Sequence, residues 1–419
     1  MKVIHKKLLS MVTVTGLLLS GCGGASKAGS TGETPNESSG AGGTVSLTVW
    51  CAEEDNDLMN QVISGFQAQY SDTTFEISVG NCPEGECKDQ LLGDVNNAPD
   101  VFTFSDDQLA IFASSGVLKP IEEPDDIMAR NAAGSVEAAS LGEQLYAYPL
   151  TADNGYFLYY NKAYLSEADV ATMDGILSVA SSKGKKFSMD WSSGWYLYSF
   201  FGNTGLEVGL NEDGVSNYCT WNSTEGNIKG VDVANAMMAI GSNSGFLNGG
   251  DDALKEGAAN DTVIAGVSGV WAYDDLKAAW GDNLGAVKLP TYTCAGQQVQ
   301  MSSYAGYKLV GVNSYSKNKE WAAKLADWIS NEENQLLRFE MRSQGPSNIN
   351  AAASPEVKEA VALTAVMSQA EYSKLQRIGG AYWEPVGKYG IAMANNNTNG
   401  LSLQDYLDEM VKKITASNS

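Results

Sequence analysis

The 419-residue chain contains a single histidine, His5, and it lies in an N-terminal stretch with the pattern of a cleaved export signal. A mature chain without histidine has no imidazole base, which excludes a Ser-His-Asp triad and histidine-based metal sites. Positive charge is also scarce: 27 Lys+Arg stand against 50 Asp+Glu, a formal charge of -23. Such a field repels polyanions and argues against nucleic-acid binding or a polybasic membrane patch. Beyond the N-terminus no run reaches 18 apolar residues, so no transmembrane helix is expected. The closely spaced Cys82 and Cys87 lack a second pair to complete a zinc ribbon, and neither a metal nor an organic cofactor is expected. The length leaves room for two or three domains with sizeable cores.

Residues 1–22, MKVIHKKLLSMVTVTGLLLSGC, place Lys2, Lys6 and Lys7 ahead of an apolar stretch too short to span a bilayer. That is the pattern of a secretory signal peptide, here residues 1–21. Its end, Leu19-Ser20-Gly21-Cys22, resembles a bacterial lipoprotein lipobox, which implies a diacylglycerol on the sulfur of Cys22. Losing three of the 27 cations leaves 24 against 50, a mature charge of -26. From Cys22 to residue 44 almost nothing is apolar enough to bury, so this stretch is expected to be a flexible tether with a reach of about 25 Å. The chain is therefore expected outside the cytoplasm, anchored to the membrane by its N-terminal lipid, at the cell surface in a Gram-positive cell. Five cysteines follow the anchor, an odd number, and Cys82 and Cys87 bracket the loop CPEGEC at a spacing that permits a local disulfide.

The folded part opens with alternating signals. SLTVW (46–50) reads as a buried strand; Leu58, Val62, Ile63 and Phe66 have helical spacing; TFEISV (74–79) and VFTF (101–104) are further strands. Strand, helix, strand, helix, strand predicts an α/β fold with a mostly parallel sheet covered on both faces. Farther on, residues 146–162 are extended and aromatic, and TVIAGVSGVW (262–271) reads as a buried strand ending at a tryptophan. YKLVGVN (307–313) precedes a helix with Trp321, Leu325, Trp328 and Ile329 on one face, and LQDYLDEMVKKI (403–414) is amphipathic.

Several fragments, in order, resemble one family: LTVW followed by acidic residues (47–55), APDVFTFSDDQLAIFASSGVLKPI (98–121), GEQLYAYPLTADNGYFLYYNK (142–162), GVSGVWAYDDLKAAWGDNLGAVKLPTY (266–292), residues 305–348, and AYWEPVG (381–387). Together they are similar to the extracellular solute-binding proteins of ABC transporters, specifically the maltose/maltodextrin-binding lipoproteins. The resemblance implies a periplasmic-binding-protein-like fold of two α/β lobes with a ligand cleft between them. The N-lobe is expected to comprise 45–151 plus 309–350, and the C-lobe 152–308 plus 351–419. It also implies a monomer that binds a malto-oligosaccharide and passes it to the transmembrane subunits of an ABC permease.

A neutral sugar suits flat aromatic rings under its C–H faces and carboxylates that accept two hydroxyl hydrogens. The chain has nine Trp and 19 Tyr. Trp50 ends the first strand, with Glu53-Glu54-Asp55 following at the carboxyl edge where open α/β sheets bind ligands. By resemblance Glu54 and Asp55 bind hydroxyls, Phe104 and Asp107 meet sugar after the third strand, and one of Asp153 and Asn154 supplies a further polar contact. Trp195 (with Trp191 nearby), Trp271 and Trp383 are the implied stacking set, and Glu86, with Glu84, is implied to project from the CPEGEC loop. Trp221, Trp280, Trp321 and Trp328 are expected in the core.

Two other classes use the same residues differently. A glycoside hydrolase needs two carboxyl groups on opposite sides of the scissile bond, roughly 5 to 10 Å apart, which adjacent pairs such as Asp106/Asp107 do not offer. A phosphorylated cargo would require Arg or Lys in the cleft, and neither the Trp50 loop nor the Trp271 strand end supplies one.

Overall fold

The structure is a computed structural model that describes residues 43–85, 87–211, 213–397 and 400–416. The expected signal sequence, Cys22, most of the expected tether and Glu86 lie outside the described residues.

Eleven strands form two large sheets: β1 (Val45–Cys51), β2 (Phe75–Asn81), β3 (Val101–Ser105), β4 (Tyr148–Gly155), β5 (Phe157–Asn161), β6 (Lys186–Met189), β7 (Phe246–Asn248), β8 (Val263–Ser268), β9 (Leu284–Val287), β10 (Ser303–Val312) and β11 (Ser373–Leu375). The helices that matter for the site are α1 (Asn56–Gln69), α2 (Gly194–Phe201), α3 (Asp251–Ala259), α4 (Lys319–Ile329), α5 (Glu332–Arg342), α6 (Val361–Ala370), α7 (Trp383–Ala394) and α8 (Leu403–Ile414).

The first sheet has the order β11-β10-β3-β1-β2, with β4 also paired to β10. β1 is parallel to β2 and β3, while β10 runs antiparallel to β3 and β4. Its central strand, Val101 to Phe104, is buried at every position, as expected of a strand covered on both faces. The second sheet is β7-β6-β8-β5-β9, and β8 is again buried throughout.

Each sheet has its own apolar core. One draws on residues between Leu47 and Leu150, Tyr307 to Ile329, and Leu375; another draws on residues between Tyr156 and Met301, Tyr304, and Tyr382 to Ile414; a third cluster joins Phe157, Tyr159, Leu254 and Leu284 of the second sheet and its helices to Val357, Leu363 and Val366. Three segments run directly from one of the first two cores into the other: β4 into β5, β10 between Tyr304 and Tyr307, and the stretch from Leu375 to Tyr382. β11 lies beyond residue 350 yet pairs with β10 in the first sheet, immediately before the chain enters α7.

The helices follow their sequence patterns. Buried Leu58, Met59, Val62, Ile63 and Phe66 form one face of α1, and Trp321 and Trp328 of α4 pack edge-on around Phe66. α5 begins at an Asn331 cap whose side chain accepts the Asn334 N–H. Trp191 and Trp221 are fully buried, and Trp280 nearly so.

Candidate ligand-binding site

Beside the crossings lies a cavity of about 430 Å³. Asp106, Asp107 and Ile111 line it from the first lobe, Arg377 from the third crossing, and Val215 and Trp383 from the second lobe.

The acidic wall is set by where β3 ends. After Ser105 the chain turns through the short helix Asp106–Gln108, which turns Asp106 inward and leaves Asp107 exposed. Asp106 Oδ1 accepts the Tyr307 N–H at 2.7 Å. Burial pushes the Asp106 carboxyl up to about 7, with Asp107 reinforcing the shift and the Tyr307 N–H and Arg377 opposing it. Arg377 donates to the carbonyls of Glu137 and Ser140 at 3.0 and 3.2 Å, so its guanidinium is held at the edge of the first lobe.

Strand alternation separates Asp153 from Asn154. Asp153 is buried and accepts the Gly345 N–H at 2.7 Å, facing away from the acidic wall. Asn154 is exposed opposite Gly306, where a Cβ would lie 2.5 Å from its Nδ2 and 3.4 Å from Asp106 Oδ1. Asn154 therefore shares a face with Asp106, and Asp153 does not.

Three tryptophans gather on the second lobe. Trp195 is placed by the start of α2, where Ser193 caps the Trp195 N–H, and Trp271 by the turn after β8. Their rings stack with centroids 5.8 Å apart and planes at 28°. Trp271 is 41% exposed, an unusual state for an indole that has a core within reach. Trp383 starts α7, and a Cβ at Gly194, next to Trp195, would lie 3.5 Å from its ring. α7 comes this close because Gly390 has no side chain: a Cβ there would sit 2.0 Å from the Trp191 carbonyl oxygen.

Other expected contacts lie elsewhere. Phe104 is fully buried, packed against Phe102 and Phe112, and offers no ring face to a ligand. Asp55 is also fully buried, and both its oxygens are taken: Oδ2 by Arg338 and Oδ1 by Arg342 at 2.8 Å. Its carboxyl is held below the usual range: burial alone would raise it, and the two guanidiniums overcome that effect. It ties the β1–α1 loop to α5 and, fully buried, presents no exposed oxygen to a hydroxyl. Trp50 is half-buried over Gly80, and Glu54 is exposed; neither belongs to the cavity wall. Glu84 is buried against Lys308 at 3.2 Å, so it does not project from the loop. The Cys87 thiol has Cys82 as its side-chain hydrogen-bond partner, and burial raises its pKa above the usual thiol value.

Asp106 and Arg377 were not expected as cavity residues. Asp106 adjoins Asp107, and only the turn geometry distinguishes them. Arg377 carries no local signal, because its place depends on β11.

A family model for bacterial extracellular solute-binding proteins matches residues 61–365. The chain is 26% identical over 354 residues to the galactooligosaccharide-binding protein of Bacillus subtilis, covering 81% of this chain and 82% of that one. It is 24% identical over 401 residues to the maltooligosaccharide ABC transporter solute-binding lipoprotein of Streptococcus pneumoniae R6, covering 90% and 89%. Among solved structures, the ligand-free maltodextrin-binding protein of L. casei BL23 superposes with a TM-score of 0.76 at 24% identity, covering 90% of this chain and all of that one. A cyclo/maltodextrin-binding protein complexed with maltotetraose gives 0.75 at 20% identity, covering 89% and 97%. At these identities the structures share the two-lobed fold.

Proposed function

The chain belongs to the bacterial extracellular solute-binding proteins, and from that membership we propose that it captures malto-oligosaccharides for an ABC importer. The observations that carry this reading are a cavity lined by Asp106, Asp107 and Trp383 and, on the second lobe, an exposed Trp271 ring stacked on Trp195. The exposed ring of Trp271, stacked on Trp195, suits the C–H face of a pyranose, and Trp383 in the cavity wall offers a separate aromatic surface. Asp107 and Arg377 line the cavity with Asp106, and Asn154 shares a strand face with Asp106, so together they offer acceptors and donors for hydroxyls. The three crossing segments act as a hinge, and closure buries the sugar between the walls. The closed form is the one a permease would engage, and Cys22 would hold the protein at the membrane by its lipid.

Both carboxylates of the cavity stand side by side on one wall. They can hold hydroxyls but do not straddle a glycosidic bond, so the reading is capture without cleavage. The Bacillus relative's name favours one variant of this reading, a galacto-oligosaccharide cargo. Calorimetry of residues 45–419 against maltose through maltoheptaose, a galacto-oligosaccharide and cellotetraose separates them. The expected result is saturable one-to-one binding of the α-1,4 series with the sugar recovered intact. Binding only of the galacto-oligosaccharide would replace the cargo, and shortened maltotetraose would overturn the binding-protein reading.

A further inference from the structure

Trp271 projects 41% of its surface into solvent, yet its ring has little freedom. Its Nε1–H donates to Asp251 Oδ2 at 2.6 Å, while the other carboxylate oxygen accepts the Ser268 hydroxyl at 2.6 Å. Ser268 is fully buried at the end of β8, and the Tyr196 hydroxyl hydrogen-bonds it from α2. Asp251 is the first residue of α3, where a carboxylate also complements the helix dipole. Under the ring lies Gly269, where a Cβ would come within 2.1 Å of the indole, and its carbonyl accepts the Tyr159 hydroxyl at 3.1 Å. Trp195, stacked on the same ring, differs: its Nε1 is buried with no hydrogen-bond partner among the described residues.

We propose that Asp251 is a positioning residue for ligand capture: its carboxylate, clamped by Ser268, fixes the rotation of the Trp271 indole so that the stacking face is assembled before the ligand arrives. This rests on the sugar-binding reading for its consequence but not for its geometry. An exposed indole freed from Asp251 would sample other rotamers, and the ligand would have to order it. Ordering one such side chain weakens binding roughly three- to tenfold. Asp251 touches the platform from behind and need not touch the sugar itself.

The test combines Asp251→Ala, Asp251→Asn, Trp271→Phe and the double variant Asp251→Ala/Trp271→Phe. Maltotetraose and a galacto-oligosaccharide serve as probes, and near-ultraviolet circular dichroism of the ligand-free proteins is the second readout. Asp251→Ala should weaken binding about three- to tenfold and lose the dichroic signature of the Trp195–Trp271 pair. Asp251→Asn, whose amide oxygen still accepts from the indole, should keep both within about twofold of the parent. In the Trp271→Phe background, which has no N–H to hold, Asp251→Ala should cost less than about twofold, because the coupling runs through one bond. If Asp251→Ala does not fold, Asp251→Ser keeps a helix-capping side chain too short to reach the indole and takes its place. Unchanged dichroism in Asp251→Ala, or an equal loss of affinity with and without the indole N–H, overturns the proposal. A parent protein that binds neither sugar would overturn the functional reading instead, while the dichroism would still decide the role of Asp251.

Discussion

Asp106 is where the acidic wall meets the protein interior, and its pH behaviour follows from that position. Its folded pKa of about 7 lies above the ordinary unfolded carboxylate value of about 3.9. Between those values the folded state holds more protons than the unfolded one, so stability falls as pH rises from about 4 to about 7. Asp106→Asn should flatten part of that slope and raise the melting temperature at pH 8 more than at pH 5. Asp153, also raised by burial, keeps the remaining slope. A variant that melts with the parent's pH dependence would contradict the assignment. Residue type alone reveals little of this. Asp55, Asp106, Asp107 and Asp153 are the same amino acid in similar loop and strand-end contexts, yet two guanidiniums, one N–H, open solvent and another N–H make them four different groups. Trp271, by contrast, keeps the place that its sequence position suggests, just past a buried strand with its ring 41% exposed.

At the level of elements, periodicity carries far where an element is long. α1, α4 and α8 each bury residues that recur every three or four positions, and α8 spans the stretch from Leu403 to Ile414 that its amphipathic pattern outlines. β3 and β8 declare themselves as unbroken apolar runs. β11 has three residues and no period, so the return of the chain to the first sheet, and with it the placement of Arg377, is written only in long-range pairing. Phe104 shows the complementary limit: an aromatic at a strand end can turn to the cleft or to the core, and here Phe102 and Phe112 draw it inward. The ion pair that docks α5 gives a direct test. Asp55→Asn leaves Arg338, almost fully buried, without its counter-charge and should cost about 3 to 5 kcal/mol in chemical denaturation. Oligosaccharide affinity of the folded fraction should stay within about twofold, because Asp55 has no oxygen facing the cleft. A stable variant with weakened binding would return Asp55 to the ligand set.

For the whole molecule, the excess of acid is mostly solvated surface, and the cleft uses few of its carboxylates. The two lobes offer surfaces that differ in kind: Asp106 and Asp107 on the first, and Trp383 with the exposed Trp271–Trp195 pair on the second. That contrast is the central claim, and a crystal structure of residues 45–419 with maltotetraose tests it most directly. The account predicts closed lobes, with pyranose faces on Trp271 and Trp383 and hydroxyls within hydrogen-bond distance of Asp107 and Asn154. A sugar bound elsewhere, or bound in the cleft with Trp271 still facing solvent, would contradict it.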